Sequence, residues 1–364
     1  MIRLAKPWIG DEELAGVAEV LRSGMLVQGA RVAALEARLA ERCGRAHAVA
    51  CGSGTSALEL ALAALGVTDG EVLCPDLSWP SPAHAIVRSG AHPRLIDVDP
   101  RTWNARADAL AEATTEQTRA AVVIDQFGSP ADHPAIAEAL EVPMVVDAAC
   151  SLGAAVGGRP APSFGAVACL SFHPRKLITT GEGGACLTDD PAIAERLRML
   201  RNHGQQAPGD FGVPAGNHRM TEIAAALGLA QLDRLDGILA RRRALAERYR
   251  ARLGAFSLQA PVEGATGNWQ TFGVVLGEGT DASARDALVA RLRDDGVEAG
   301  RLSYALHRIG SLEGRWRGGP AFPHADAIEG RGLALPMHPL LEDREVDRVV
   351  EAFERAVDDL GIQP

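Results

Sequence analysis

No stretch of 18 apolar residues occurs anywhere in the 364-residue chain, so a membrane-spanning helix is not expected. The N-terminal MIRLAKPWIGDEEL lacks the apolar core of a signal peptide. Positive charge is also short, with 37 Lys and Arg against 47 Asp and Glu and a net charge of -10, which disfavours a nucleic-acid binder working through a basic face. The run Arg241 to Arg243 reads instead as the solvated side of a helix. Cysteine is sparse and unpaired in pattern. Cys43, Cys51, Cys74, Cys150, Cys169 and Cys186 include no CxxC and no finger-like spacing, so neither a disulfide framework nor a metal site is expected. Most of them sit in apolar runs as small hydrophobes, and the chain reads as a soluble cytoplasmic protein. Walker and GxGxxG loops, fixed-period repeats and low-complexity tracts are missing too.

What is present is an alternation. Short apolar runs at His47 to Cys51, Glu71 to Cys74, Arg94 to Val98, Ala120 to Ile124, Pro143 to Asp147, Val167 to Phe172 and Ala185 to Thr188 read as strands. Helical patterns separate most of them, which predicts a largely parallel sheet covered on both faces. Ahead of the first strand, Leu14, Val17, Ala18 and Leu21 are spaced for one helical face, and Val32, Leu35 and Leu39 form a second helical pattern leading to Gly44. Residues 209 to 220 contain too many breakers for regular structure. Thr221 opens a helix whose Ile223, Ala224, Leu227 and Leu232 are expected inside. Beyond Gly254 the texture becomes α+β, with a strand over Trp269 to Leu276, a helix over Ala282 to Leu292, a strand over Gly332 to Leu335 and an amphipathic helix over Arg344 to Leu360. The domain boundary is placed near residue 240.

Four weak signals could share one purpose. Lys176 follows a buried strand and precedes a Thr- and Gly-rich turn, with Ser171 and His173 close by; a desolvated amine there can attack an aldehyde. Asp147 ends the apolar strand MVVD, where a carboxylate needs a cation or hydrogen bonds, helix capping being the other explanation. The GSGTS turn at 52 to 56 opens a helix whose first N–H groups suit a phosphate, although capping by Ser53 or Thr55 explains it equally well when taken alone. Trp79 lies at a strand end, where it either stacks on a flat ring or simply packs. Pyridoxal phosphate requires a lysine, a carboxylate, an anion site and a ring-face partner.

The segments KPWIGDEEL at 6 to 14, SGTSAL at 53 to 58, GAHPRLIDVDPRTWN at 90 to 104, VDAACSLGA at 146 to 154, SFHPRKLITTGEGG at 171 to 184, RNHG at 201 to 204 and NHRMTEIAAALGLAQL at 217 to 232 carry a resemblance that runs almost end to end. The chain resembles the DegT/DnrJ/EryC1/StrS family of fold type I pyridoxal-phosphate sugar aminotransferases. The resemblance implies a large domain, residues 1 to 240, with a mostly parallel seven-stranded sheet between helices, and a smaller C-terminal α+β domain, residues 241 to 364. It implies that Lys176 forms the Schiff base, that Asp147 pairs with the ring nitrogen, and that Gly54, Thr55, Ser56 and Ser171 hold the phosphate. Trp79 would stack on the ring, His173 would line the pocket, and Asn217 would reach the phosphate of a partner subunit in a homodimer with shared sites. Cys150 stands where relatives often carry Gln, so support for the ring hydroxyl or the substrate is in question there. Asp125 stands where many relatives have His, and His218 interrupts the more common NYRM. Tyr304, His307 and His338 resemble substrate-side positions.

The expected reaction moves an amino group from an amino acid, glutamate or glutamine, through pyridoxamine phosphate to a ketone on a nucleotide-linked deoxysugar or related cyclic polyol. The alternatives are pyridoxamine-dependent dehydration or elimination on a similar sugar, which relatives perform after losing the lysine, and a non-catalytic regulatory relative.

Overall fold

The computed structural model describes residues 1–319 and 321–364. Seven strands form the main sheet: β1 (His47–Cys51), β2 (Glu71–Pro75), β3 (His92–Ile96), β4 (Thr118–Ile124), β5 (Met144–Asp147), β6 (Val167–Ser171) and β7 (Gly184–Thr188). Their order is β1-β7-β6-β5-β4-β2-β3, and a two-residue piece, Arg317–Gly318, adds an eighth at the β3 edge. Only β7 runs antiparallel to its neighbours within this sheet, among the described residues.

Alternation along the strands explains why both faces are covered. In β4, Ala120, Val122 and Ile124 enter one core while Ala121 and Val123 enter the other. With helices on both sides, each strand is apolar throughout rather than half polar. The C-terminal ends of the parallel strands all point to one rim. That rim carries Asp76 just after β2, Asp125 just after β4, Asp147 at the end of β5 and Ser171 at the end of β6.

The helices are α1 (Asp11–Ser23), α2 (Ala30–Cys43), α3 (Gly54–Ala64), α4 (Ser81–Ser89), α5 (Ala107–Ala113), α6 (His133–Ala139), α7 (Pro191–Arg201), α8 (Glu222–Asp233), α9 (Leu235–Leu253), α10 (Ala282–Asp294), α11 (Pro323–Arg331) and α12 (Asp343–Leu360). Val32, Leu35 and Leu39 of α2 are buried. Three backbone N–H groups at its start, those of Gly29, Arg31 and Val32, donate to the Glu222 carboxylate at 2.8, 2.9 and 2.8 Å. A carboxylate from α8 therefore serves as the cap that Gly29 cannot provide.

Two helical faces turn out differently from the periodicity. Leu14 and Leu21 of α1 are 63% and 56% exposed, and the inward residues are Glu13 and Val20. Glu13 rotates the helix, because its carboxylate accepts from Gly10 N (2.8 Å), Gln231 Nε2 (2.7 Å) and Arg234 Nη1 (2.7 Å). In α8 Leu232 is buried as expected, but the rest of the buried face is Ala225, Ala226 and Gly228, while Ile223, Ala224 and Leu227 are half-exposed. Small residues allow a close helix approach there: a Cβ on Gly16 of α1 would lie 3.6 Å from that of Ala226.

The arginine run is not uniformly solvated either. Arg243 is exposed, but Arg242 is buried and donates through Nη1 to the carbonyls of Trp269 (2.9 Å) and Gln270 (3.0 Å). Residues 209 to 220 include Asp210–Phe211, which pairs with Gln205–Ala207. After α9, strands β8 (Ser257–Leu258), β9 (Phe272–Val275), β10 (Gly300–Arg301) and β11 (Gly332–Leu335) form an antiparallel sheet ordered β8-β9-β11-β10. Its core joins Tyr249, Phe272 and Phe353 with Ile2 from the start of the chain. No helix among the described residues is long and apolar enough to cross a membrane.

Candidate active site

Lys176 lies in the loop that leaves β6, where Lys176 N donates to His173 O at 2.8 Å. Its side chain is half-buried, and Nζ donates to the Cys150 thiol at 3.1 Å. On the neighbouring strand β5, Asp147 stands opposite Cys169 in parallel register. Its carboxylate is buried and accepts one hydrogen bond, from Ala149 N at 3.1 Å. Burial raises its pKa to about 6; the Lys176 ammonium and the Ala149 N–H oppose that rise, and Asp125 adds to it. The amine therefore acts on the carboxylate from within the same site.

Asp125 is fully buried behind Asp147 and heavily partnered. Its Oδ1 accepts from Ala131 N (3.0 Å) and lies 2.9 Å from His133 Nε2, while Oδ2 accepts from the Ser151 hydroxyl at 2.5 Å. The carboxylate at the position where relatives often have His is therefore hydrogen-bonded from two segments, through Ala131 N and the Ser151 hydroxyl.

The first turn of α3 lies over the end of β6. Ser53 caps it, accepting from Ser56 N at 3.1 Å, and Ala57 N donates to Ser53 O. Among the described residues the N–H groups of Gly54 and Thr55 have no acceptor. A Cβ on Gly54 would fall 2.7 Å from that of Ser171, so glycine is what brings these two donors against the Ser171 hydroxyl. The Thr55 and Ser81 hydroxyls are hydrogen-bonded to each other (2.6 Å), and His218 Nδ1 lies 3.3 Å from Ser56 Oγ. Asn217, by contrast, is exposed and its Oδ1 accepts from Arg219 Nε at 3.0 Å.

Trp79 is 63% exposed, with its indole edge-on to Tyr304 at 5.5 Å and 72°. A two-residue ladder explains the meeting: Tyr304–Ala305 pairs with Leu77–Ser78. His307 locks it, since its N–H and Nδ1 engage the two oxygens of buried Asp76 at 2.8 and 2.7 Å. Burial pushes Asp76 up to about 6 against the pull of His307. His338 lies apart from this cluster. It is buried near Arg242, Glu345 and Lys6, and burial, with help from Arg242, pushes it down to about 4. His173 is half-buried; burial lowers its pKa, and its Nδ1 accepts from Arg175 N at 3.2 Å.

Two positions that the sequence did not single out brace the site. Buried Asn268 donates through Nδ2 to the carbonyls of Cys150 (2.7 Å) and Leu152 (2.9 Å). Gln270, two residues on, donates to the Arg175 carbonyl at 2.8 Å. One short segment thus fixes both the Asp147 loop and the Lys176 loop. A pair of amides just ahead of a buried strand was the available signal.

A free amine, a buried carboxylate with few partners and an open-ended helix start with glycine against serine fit pyridoxal phosphate well. The comparisons agree. TlmJ from Streptoalloteichus hindustanus, an aminotransferase, is 34% identical over 99% of this chain and 100% of its own, with a TM-score of 0.92. Spr1654 from Streptococcus pneumoniae, a candidate sugar aminotransferase known in pyridoxal-phosphate, pyridoxamine-phosphate and apo forms, is 27% identical over 99% of this chain and 98% of its own in the pyridoxamine form, with a TM-score of 0.94. The E. coli GDP-4-keto-6-deoxy-D-mannose-3-dehydratase is 25% identical over 97% of this chain and 99% of its own, with a TM-score of 0.90. Pyridoxal phosphate is the cofactor of this group. Residues 7–354 match the family model, and the chain belongs to the DegT/DnrJ/EryC1/StrS aminotransferase family.

Proposed function

We propose that this protein is a pyridoxal-phosphate-dependent aminotransferase that takes an amino group from an amino acid, glutamate or glutamine, and delivers it to a ketone on a nucleotide-linked deoxysugar or related cyclic polyol. Biosynthesis of a secondary metabolite or surface glycan in the cytoplasm is the setting, with residues 1–240 binding the cofactor and 241–364 forming the smaller domain. The observation that carries the reading is the buried Asp147 carboxylate at the end of β5 with the Lys176 side chain, from the loop leaving the adjacent strand β6, near enough to lower its pKa.

When bound, the cofactor supplies an electron-withdrawing ring that stabilises negative charge on a substrate carbon. Asp147, ionised above about pH 6, would hold the ring nitrogen. Gly54, Thr55, Ser56 and Ser171 would hold the phosphate, the first two through their free N–H groups. Trp79 offers an uncovered indole face to the ring, and His173 and Cys150 line the pocket on the lysine side. The Lys176 amine would move a proton to and from substrate. Its presence favours transamination over the dehydration performed by the E. coli relative. Tyr304 lies beside Trp79, where it meets the substrate; His307 acts through Asp76 to keep Tyr304 there.

A homodimer completes the pocket. Leu14, Leu21, Met25, Leu26 and Val27 are all exposed along one stretch, a surface suited to a second copy. Asn217 is exposed, and its amide nitrogen would reach the neighbour's phosphate site while Oδ1 accepts from Arg219.

The test is to reduce the purified protein with borohydride, map the labelled peptide, and then supply amino donors with a panel of keto-sugars and follow products by mass. Label on Lys176 and amine formation support the reading. Oxygen loss indicates dehydration, and label on another residue overturns the assignment of the lysine.

A further inference from the structure

Five of the six cysteines are buried, and the one that solvent reaches, Cys150, is the one beside an amine. The Lys176 Nζ to Cys150 Sγ distance is 3.1 Å. Neither partner is free to drift, because Asn268 pins the Cys150 carbonyl and Gln270 pins the carbonyl of Arg175, the residue before the lysine. Asn268 Oδ1 in turn accepts from Gln270 N at 2.9 Å, so the two pins form one rigid unit.

We propose that Cys150 and Lys176 form a covalent sulfur–nitrogen bridge when a hydroperoxide enters the cofactor-free site. Thiolate is the form that attacks peroxide, giving a sulfenic acid and releasing water or alcohol. A sulfenic acid with a nitrogen nucleophile in reach condenses to a sulfenamide. Here the neutral Lys176 amine attacks sulfur, the S–N bond forms as the S–O bond breaks, and the departing hydroxide takes the proton from nitrogen and leaves as water. Sulfur is oxidised by two electrons, and the peroxide O–O bond is the oxidant reduced. Holding the two atoms in contact replaces a bimolecular encounter with an intramolecular step, which favours condensation over further oxidation of the sulfur.

The bridge itself stands on this geometry. Its consequence for function rests on the reading above: the same amine is needed by pyridoxal phosphate, so cofactor and bridge exclude each other. Loss of cofactor under oxidative conditions would then seal the lysine against irreversible damage until a thiol reductant reopened it.

The experiment treats full-length protein with hydrogen peroxide, with and without pyridoxal phosphate, and maps peptides by mass. The expected product is a cross-link joining the peptides that contain residues 150 and 176, lighter than their sum by two hydrogens. It disappears on adding dithiothreitol and is absent from Cys150→Ser and Lys176→Arg. Treated cofactor-free protein should lose at least about 90% of its capacity to bind pyridoxal phosphate by absorbance titration, and recover it with reductant. Sulfinic or sulfonic acid on Cys150 with an unmodified Lys176 overturns the proposal. A cross-link that forms equally with cofactor present supports the bridge and counts against Lys176 as the cofactor's anchor.

Discussion

Gly54 and Ser171, 117 positions apart in the chain, meet so closely that a methyl group on the glycine would stand 2.7 Å from the serine Cβ. That Cβ is anchored to strand β6 and cannot swing aside as the tip of a long side chain could. Gly54→Ala must therefore lift the first turn of α3 off the strand end. Such overpacking costs about 1–3 kcal/mol of stability, and the displaced N–H groups should weaken pyridoxal phosphate binding by at least about tenfold. Absorbance titration reads the second effect. Adding Ser171→Gly should restore the spacing without restoring the hydroxyl, so stability recovers further than affinity. Unchanged affinity in the single variant would mean that the phosphate sits elsewhere.

Asp147→Asn separates stability from function by sign. The folded carboxyl is raised from 3.8 to about 6, chiefly by burial, so the protonated form is the one the cofactor-free fold prefers. Its stabilising contribution is present below about pH 4 and is lost as the pH rises through about 6. The loss is on the order of 3 kcal/mol at full ionisation. Cofactor-free Asp147→Asn should accordingly melt above the parent at pH 8 and level with it near pH 4, while its cofactor affinity and turnover collapse. Melting scans across that range check the sign. A variant less stable than the parent at pH 8 would show that the ionised carboxylate is structurally welcome.

Which parts of this site could be read from the chain follows from how local each one is. Lys176 and Asp147 declare themselves because each is a charged group attached to an apolar strand, an anomaly visible within ten residues. The phosphate turn is visible for the same reason, as Gly and Ser opening a Leu-rich helix. Asn268 and Gln270 were not legible, because what they do depends on loops that lie 118 and 95 positions away, and an amide ahead of a strand looks like any other. Glu13 shows the limit of periodicity. Leu14 and Leu21 mark an apolar stripe correctly, but a buried carboxylate ligated by Gln231 and Arg234 turns that stripe outward. Arg242 is the same lesson for charge, since two carbonyls draw one guanidinium of three inside.

His307 serves as a clamp with a measurable pH signature. Asp76 is fully buried and owes its ionised form to the two hydrogen bonds from His307. Removing the ring in His307→Ala leaves burial opposed only by the backbone N–H, and the carboxyl rises beyond its present value of about 6. At pH 5 the acid is largely protonated and the loss should be modest. At pH 8 an ionised carboxylate is left buried without its partner, and the deficit should grow to about 3 kcal/mol or more. Denaturant melts at the two pH values test this, and His307→Gln, which keeps a side-chain donor, should recover part of the difference. Equal deficits at both pH values would place the stabilisation in ring packing against Phe322 rather than in the hydrogen bond to Asp76.

The outward stripe on α1 makes the last prediction, concerning assembly. Two leucines at 63% and 56% exposure on one face are costly to leave in water, at about 1.5–3 kcal/mol each when fully buried elsewhere. In a two-fold dimer each residue is counted twice, so Leu14→Glu with Leu21→Glu removes four apolar contacts and brings like charges together. Dissociation should be favoured by at least about a thousandfold, equivalent to about 4 kcal/mol. Sedimentation should give a dimer for the parent and a monomer for the double variant at micromolar concentration. Leu360→Glu, at 43% exposure on the far end of the chain, should leave the dimer intact. If Asn217 completes the neighbour's phosphate site, the double variant will also bind pyridoxal phosphate more weakly, and Asn217→Ala will reproduce that loss without dissociating the dimer. Weak binding in the first variant with normal binding in the second would assign the effect to the pocket wall as a whole rather than to the asparagine.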